Sequence, residues 1–312
     1  MRAFLVHAPW MRSNGEIIMG EDNELLEGIK KIELSIRKKY HSELFTKFAK
    51  AINKYELLKP GDRVAVCISG GKDSMLMAML FKELKKHNKF PFEVVNLVMD
   101  PGYNAENRKK IENNAKKMGI DITVFETDIF DSVYDIEDSP CYLCARMRRG
   151  NLYSKAKELG CNKIALGHHY DDVIETILMG MMYGGQFQTM MPKVHSSNFE
   201  EMELIRPMYL IREEDIIHWK NYNELDFLAC ACRFTDEHTK PNEDGTVDSK
   251  RQEIKLLIKS LKKVNPFVDS NIFKSAENVN LQTVVRYKDK GVHHSFLEWY
   301  DNQDAYKYWK EQ

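Results

Sequence analysis

Residues 63–74 read RVAVCISGGKDS, an apolar run from Arg63 to Ile68 followed directly by Ser69-Gly70-Gly71-Lys72-Asp73-Ser74. The turn signal Lys59-Pro60-Gly61-Asp62 precedes the run, which reads as a buried strand. A helix over about 74–86 follows. Paired glycines at a strand-to-helix turn let the backbone approach a ligand closely, and a helix N-terminus offers unpaired N–H groups and partial positive charge to phosphate oxygens. Lys72 adds a point charge and Ser74 a hydroxyl. This is not the Walker loop: the G-x-x-x-x-G-K-[ST] spacing is absent and an acid follows the lysine. An acid beside a phosphate site repels the ligand unless a cation intervenes, so Asp73 points to Mg2+ held against a nucleotide polyphosphate. A bare Gly-Gly turn with an Asp cap would carry no function. All six residues in this strand-helix context favour the phosphate site.

Outward from that loop the pattern alternates. Strands are expected at 92–99, 120–126 and 163–166, and helices at 105–118, 145–159 and 172–182. Such alternation implies parallel strands joined by crossover helices, the α/β class. The core is expected over 60–240, between a helical N-terminal extension (1–59) and a helical C-terminal extension (241–312). Residues 24–55 carry apolar residues at helical spacing. The stretch 239–245 reads as a hinge, 249–264 as a Lys-rich amphipathic helix, and Phe296 to Trp309 as an aromatic tail packing on the body or on a second subunit.

Composition bounds the function. The chain has 312 residues, 43% hydrophobic and 30% charged, with 46 Lys+Arg against 47 Asp+Glu. Overall charge gives no sign of a nucleic-acid binder, so any basic surface is local. Arg146 to Lys157 has five Lys/Arg and no acid, and Asp248 to Lys263 has six against two acids. These segments read either as solvated helix faces or as phosphate-contacting patches. No apolar run approaches the roughly 18–20 residues needed to span a bilayer, so a membrane partner is not expected. The first residues, MRAFLVHAPW, lack the features of a secretory signal, and a cytoplasmic, reducing setting is expected.

In that setting the six cysteines suggest metal or redox chemistry rather than a disulfide framework. Cys141 and Cys144 form a C-x-x-C pair just before the expected helix, with Arg146, Arg148 and Arg149 following to favour thiolates. Such a pair is half of a zinc site, a redox couple or part of an iron–sulfur site. Cys230 and Cys232 supply further thiols about ninety residues on, which leaves a zinc tetrahedron and an open cluster equally placed. Cys67 and Cys161 read as small buried hydrophobes. Leu166-Gly167-His168-His169-Tyr170-Asp171-Asp172 follows an expected strand and opens a helix. Alone it would suit a divalent-metal hydrolase; beside a phosphate loop its acids suit Mg2+ or a base near the reacting atom. The Met-rich run 178–182 reads as core packing.

The sextet resembles the SGGxDS signature of the PP-loop ATP pyrophosphatases. This resemblance implies a doubly wound, mostly parallel sheet of the adenine nucleotide α-hydrolase-like type and cleavage of ATP between its α and β phosphates. A wider resemblance, over about residues 50–280, is to the tRNA 2-thiocytidine synthetase family. It is carried by PCYLCARMRRGNLY (140–153), KIALGHHYDDVIETILMGMMYGG (163–185), MPK (191–193), IRPM (205–208), REEDI (212–216) and KRQEIKLLIKSL (250–261). It implies an ATP-dependent sulfurtransferase making 2-thiocytidine at position 32, in the tRNA anticodon loop. The sulfur donor would be a cysteine desulfurase or free sulfide, and a homodimer is an expected assembly. It also implies a 4Fe-4S cluster on Cys141, Cys144 and a third thiol, here Cys232 with Cys230 as alternate, because Cys232 is followed two places later by Phe234. By the same resemblance ATP takes Ser69, Gly70, Gly71, Lys72, Asp73, Ser74, Gly167 and His168, while Asp73, Asp172, Asp171 and Arg148 are catalytic. Two rivals remain at this level: the same chemistry on a free base, nucleotide or small natural product, and a non-catalytic zinc-stabilised nucleotide-binding adaptor.

Overall fold

The computed structural model describes residues 19–87, 90–133, 140–228 and 249–300. Helix α1 (Met19–Leu34) passes through two π-helical turns, Ser35–Lys39 and His41–Phe45, into α2 (Thr46–Lys54). The helical lead-in therefore bends at Tyr40, whose φ of −111° leaves the helical range between the two wide turns. Then come β1 (Arg63–Ile68), α3 (Lys72–His87), β2 (Glu93–Asp100), α4 (Ala105–Met118), β3 (Thr123–Glu126), α5 (Ile129–Val133) and α6 (Pro140–Glu158). The chain continues through β4 (Lys163–Ala165), α7 (Tyr170–Gly184), β5 (Lys193–His195), β6 (Glu203–Ile205) and α8 (Glu213–Tyr222). After the segment 229–248, which lies outside the described residues along with the expected hinge, come α9 (Lys250–Val264) and α10 (Val268–Glu277). A small hairpin of β7 (Arg286–Asp289) and β8 (Val292–Ser295) precedes the short α11 (Leu297–Tyr300), the described part of the aromatic tail.

The sheet runs β3-β2-β1-β4-β6-β5, parallel except for the edge strand β5. Sequence reading missed the pair β5 and β6, since three residues are too few to show alternation. Alternate residues of each strand face opposite layers. Val64, Val66 and Ile68 join Val98, Val124 and Ile205 against α3, α4, α8 and the N-terminal helices, where Phe48, Phe81 and Trp219 are fully buried. Burying each such side chain contributes about 1.5–3 kcal/mol. Ala65, Cys67, Leu97, Ile164 and Leu204 face the other way, onto Tyr153 and Ala156 of α6. Cys67 and Cys161 are buried in this second layer, and burial pushes the Cys67 thiol up to about 12. A third cluster joins Val173, Ile174 and Ile177 of α7 to Ile254 and Ile258 of α9 and Phe273 of α10. No described helix is long and apolar enough to cross a membrane.

This topology positions the site. β1 has β2 on one side and β4 on the other, so the strand order reverses between β1 and β4 and a crevice opens beyond their C-terminal ends. The loops after β1 and β4 are the two sequence blocks singled out above, 69–74 and 166–172. A crossover helix runs antiparallel to the strands it joins, so α6 also starts at this edge.

Candidate active site

The loop after β1 is a tight cradle. The Ser69 N–H donates to Ser74 Oγ at 3.1 Å, and that hydroxyl donates to the Gly71 carbonyl at 3.0 Å. Gly70 has φ +84°, and a Cβ there would lie 2.6 Å from Ile111 Cγ1 and 2.9 Å from Leu228 Cδ1. The Leu228 N–H in turn donates to the Gly70 carbonyl at 3.2 Å, so the end of the described segment 140–228 is tied to this loop. Gly70→Ala is accordingly expected to cost about 1–3 kcal/mol in backbone strain and to weaken ATP binding. Urea unfolding and nucleotide titration check this; an alanine variant unchanged in both would contradict the cradle. Gly167 brings the loop after β4 against the same turn: a Cβ there would stand 3.2 Å from the Ser74 nitrogen.

Lys72 opens α3 and reaches two acids, Asp73 Oδ2 and Glu213 Oε1, each at 3.1 Å. Burial would lower the Lys72 ammonium, but Asp73 and Glu213 outweigh it and raise the pKa. Asp73 Oδ1 is buried with no hydrogen-bond partner and lies 3.9 Å from His169 Nε2. An unsatisfied carboxylate oxygen beside a phosphate cradle fits a hard cation such as Mg2+.

The His-Asp block is divided by its local structure. His169 is the N-cap of α7 and forms a reciprocal capping box with Asp172, whose Oδ2 accepts the His169 N–H at 2.9 Å. Asp172 Oδ1 meets Arg251 Nη1 at 2.6 Å. Burial raises the Asp172 carboxyl, but His169 and Arg251 outweigh it and hold it below its ordinary value. Asp171 Oδ2 accepts the N–H of Glu213, the first residue of α8, at 2.7 Å. His168 is pushed down to about 4 by burial, with Arg206 adding to the effect, so its imidazole is neutral at physiological pH. Its Nδ1 is buried without a partner, as is the Nε of Arg206, whose Nη1 donates to the Met191 carbonyl.

The thiol pair lies inside a helix rather than before one. Pro140 starts α6, because proline suits a first helical position where no N–H partner is needed. Cys141 and Cys144 thus stand three positions apart in the first turns of α6. Cys144 and Arg148 are half-buried, four residues apart on the same helix. Two thiols at the positive end of a helix with no acid in its first turn suit thiolate ligands of a metal cluster in donor type and electrostatics. Cys230 and Cys232 lie outside the described residues.

Sequence reading missed Glu213, Arg251, Lys255, Glu175 and Arg206. Their positions fall in or beside the quoted runs REEDI, KRQEI, IRPM and DDVIET, but spacing alone does not aim them at the loop. Lys255 pairs with Glu213, which burial would raise but which Lys255 and Lys72 hold at about 2. Glu175, one turn below Asp172, is raised to about 7 by burial and lies 3.5 Å from Arg251. A cavity of about 660 Å3 between α1, α4 and residues 223–226 is lined by lysines and carboxylates alike and touches none of these groups. Chemistry, not volume, locates the site.

Comparison with known proteins places the chain in a family. A family model described as the PP-loop domain matches residues 40–236. The tRNA-cytidine(32) 2-sulfurtransferase of Citrifermentans bemidjiense is 33% identical over 246 residues, 78% of this chain and 91% of that protein. The one from Geotalea uraniireducens is 35% identical over 243 residues, covering 76% and 92%. Among solved structures, the U34-tRNA thiolase NcsA from Methanococcus maripaludis with its [4Fe-4S] cluster superposes with a TM-score of 0.58. It is 21% identical and covers 77% of this chain and 82% of that one, a likeness of fold. With a PP-loop domain over most of its length and relatives matched nearly end to end, this chain belongs to the tRNA-cytidine(32) 2-sulfurtransferase family of PP-loop proteins.

Proposed function

We propose that this protein is an ATP-dependent sulfurtransferase that converts cytidine 32, in the tRNA anticodon loop, to 2-thiocytidine. One observation carries the reading: the phosphate loop and the thiol-bearing helix begin at the same edge of one sheet, so nucleotide and sulfur chemistry share a crevice.

Ser69 to Ser74 bind the ATP phosphates through the N-terminus of α3, and Lys72 pairs with their charge. Gly167 and His168 flank the nucleotide, the neutral imidazole serving as a hydrogen-bonding group. Asp73 and Asp172 would hold Mg2+, which would neutralise phosphate charge; Asp171 fixes α8 beside them. The cytidine O2 attacks the α-phosphorus and pyrophosphate leaves, which turns a poor leaving oxygen into a good one. A sulfur nucleophile then replaces AMP at C2. Arg148, on the thiol-bearing helix, neutralises charge that develops on the leaving group. Cys141, Cys144 and Cys232, with Cys230 as alternate, would hold a 4Fe-4S cluster. That group, when bound, would supply iron chemistry for presenting the sulfur. The sulfur comes from free sulfide or a cysteine desulfurase. Exposed Arg146 and Arg149 on α6 and Lys259 and Lys263 on α9 offer local basic surface for tRNA, which a near-neutral chain needs.

Mass spectrometry of nucleosides from cells lacking the gene tests the substrate. The expected result is tRNA without 2-thiocytidine, restored by the wild-type gene. Unchanged 2-thiocytidine would reject tRNA as substrate and favour a free base or nucleotide.

A further inference from the structure

The Lys-rich helix α9 reads from sequence as a solvated or RNA-facing surface, yet two of its cations turn toward the phosphate loop. Ile254 and Ile258 are buried against Val173, Ile174 and Ile177 of α7, which fixes the rotation of α9. Arg251 and Lys255, one turn apart, then flank that apolar stripe on the side of the crevice. Arg251 Nη1 reaches Asp172 Oδ1 at 2.6 Å and Glu175 Oε2 at 3.5 Å, and Lys255 pairs with Glu213 Oε2. Glu213 is bridged through its other oxygen to Lys72, and Lys72 to Asp73, so α9 is linked ion by ion to the phosphate loop. Both side chains remain almost half exposed, at 45% and 46%, and so stand over the acids at the mouth of the crevice.

Charge balance makes this arrangement informative. Asp73, Asp171, Asp172 and Glu213 crowd the loop, while Arg212 is bonded to Asp269 and stands 3.9 Å from Asp171. Lys72 alone cannot draw a polyanion into such a group of carboxylates, even with a divalent cation present. Arg251 and Lys255 are ion-paired directly with Asp172 and Glu213 and so add the positive charge that a polyanion needs here.

We propose that Arg251 and Lys255 form the second arm of the polyphosphate site, binding the β- and γ-phosphate oxygens of ATP. This rests on the nucleotide reading above and extends it to a helix outside the matched PP-loop domain. As the cytidine oxygen bonds to the α-phosphorus, the bond from that phosphorus to the bridging oxygen breaks. The electron pair stays on pyrophosphate, where Arg251 and Lys255 face the growing charge. The two residues exchange carboxylate partners for phosphate partners when nucleotide enters.

Calorimetric titration of the full-length, anaerobically purified protein with ATP, pyrophosphate and AMP, without tRNA, tests the proposal. Charge-assisted contacts to phosphate predict that Arg251→Gln or Lys255→Gln weakens ATP and pyrophosphate binding by about tenfold or more. The double variant should lose still more, and Arg251→Lys and Lys255→Arg should recover much of it. AMP affinity should stay within about twofold, since AMP lacks the phosphates in question. A purely structural role for these ion pairs would instead lower the melting temperature and weaken AMP and ATP alike, and that outcome overturns the proposal. So does ATP affinity equal to wild type. If the glutamine variants fail to fold, the Arg251→Lys and Lys255→Arg pair carries the test, with wild-type-like ATP discrimination over AMP expected. Its loss would overturn the proposal. A wild-type protein that binds no ATP overturns the nucleotide reading itself, whereas one that binds ATP but does not thiolate tRNA leaves this test intact.

Discussion

Lys72→Gln and Asp73→Asn are each expected to reduce tRNA-dependent pyrophosphate release by about 100-fold or more, the scale of losing one preorganised charge from a transition-state site. Lys72 is the first residue of α3, held between Asp73 and Glu213, so its ammonium is positioned before any ligand arrives. Its pKa is raised, so the group stays protonated beyond the ordinary lysine range. Activity should therefore show no alkaline loss from this residue at moderately basic pH. Asp73→Asn keeps the shape and removes the charge of the one acid in the loop with a buried, unpartnered oxygen. If Asp73 helps hold Mg2+, the variant should need more Mg2+ for half-maximal rate, while tRNA affinity is unchanged. A near-normal rate at low Mg2+ would contradict that role.

The second large effect belongs to the thiols. Cys141→Ser and Cys144→Ser should each abolish 2-thiocytidine formation and lower bound iron, with ATP affinity kept within about twofold. The expected reason is spatial division of labour: the pair opens α6, while the proposed phosphate loop opens α3, which packs on the opposite face of the sheet. Cys67→Ala and Cys161→Ala should retain iron, because both thiols sit in the apolar layer under α6 and serve packing. Loss of iron in Cys67→Ala, or retained thiolation in Cys144→Ser, would contradict this assignment.

Much of this was legible because local patterns carried it. A buried strand, a Gly-Gly turn and an amphipathic helix are adjacent in sequence, so 63–74 specified its own geometry. Alternating strands and helices imply the parallel α/β class, whereas the doubly wound order is implied only by the PP-loop resemblance. His169 was harder to read: its role as the cap of α7 shows only once the Asp172 carboxylate is seen to answer its N–H. The spacing places a helix at 145–159, whereas α6 begins five residues earlier at Pro140, because proline fits the first helical position. Glu213, Arg251 and Lys255 were invisible for a different reason. Helical periodicity reveals the apolar stripe Ile254–Ile258, but not that its flank meets an acid about eighty residues earlier in the chain. Ion pairs of that kind are set by the packing of α7, α8 and α9, which no single segment encodes.

Coupling of ATP cleavage to sulfur insertion into tRNA in one crevice is tested by combining anaerobically purified protein with unmodified tRNA, ATP, Mg2+ and sulfide, and following nucleosides, AMP and pyrophosphate together. The expected result is 2-thiocytidine at position 32, with one AMP and one pyrophosphate formed per sulfur inserted and iron and sulfide bound to the protein. A colourless protein carrying stoichiometric zinc, or ATP cleavage with no thiolated cytidine, would contradict it.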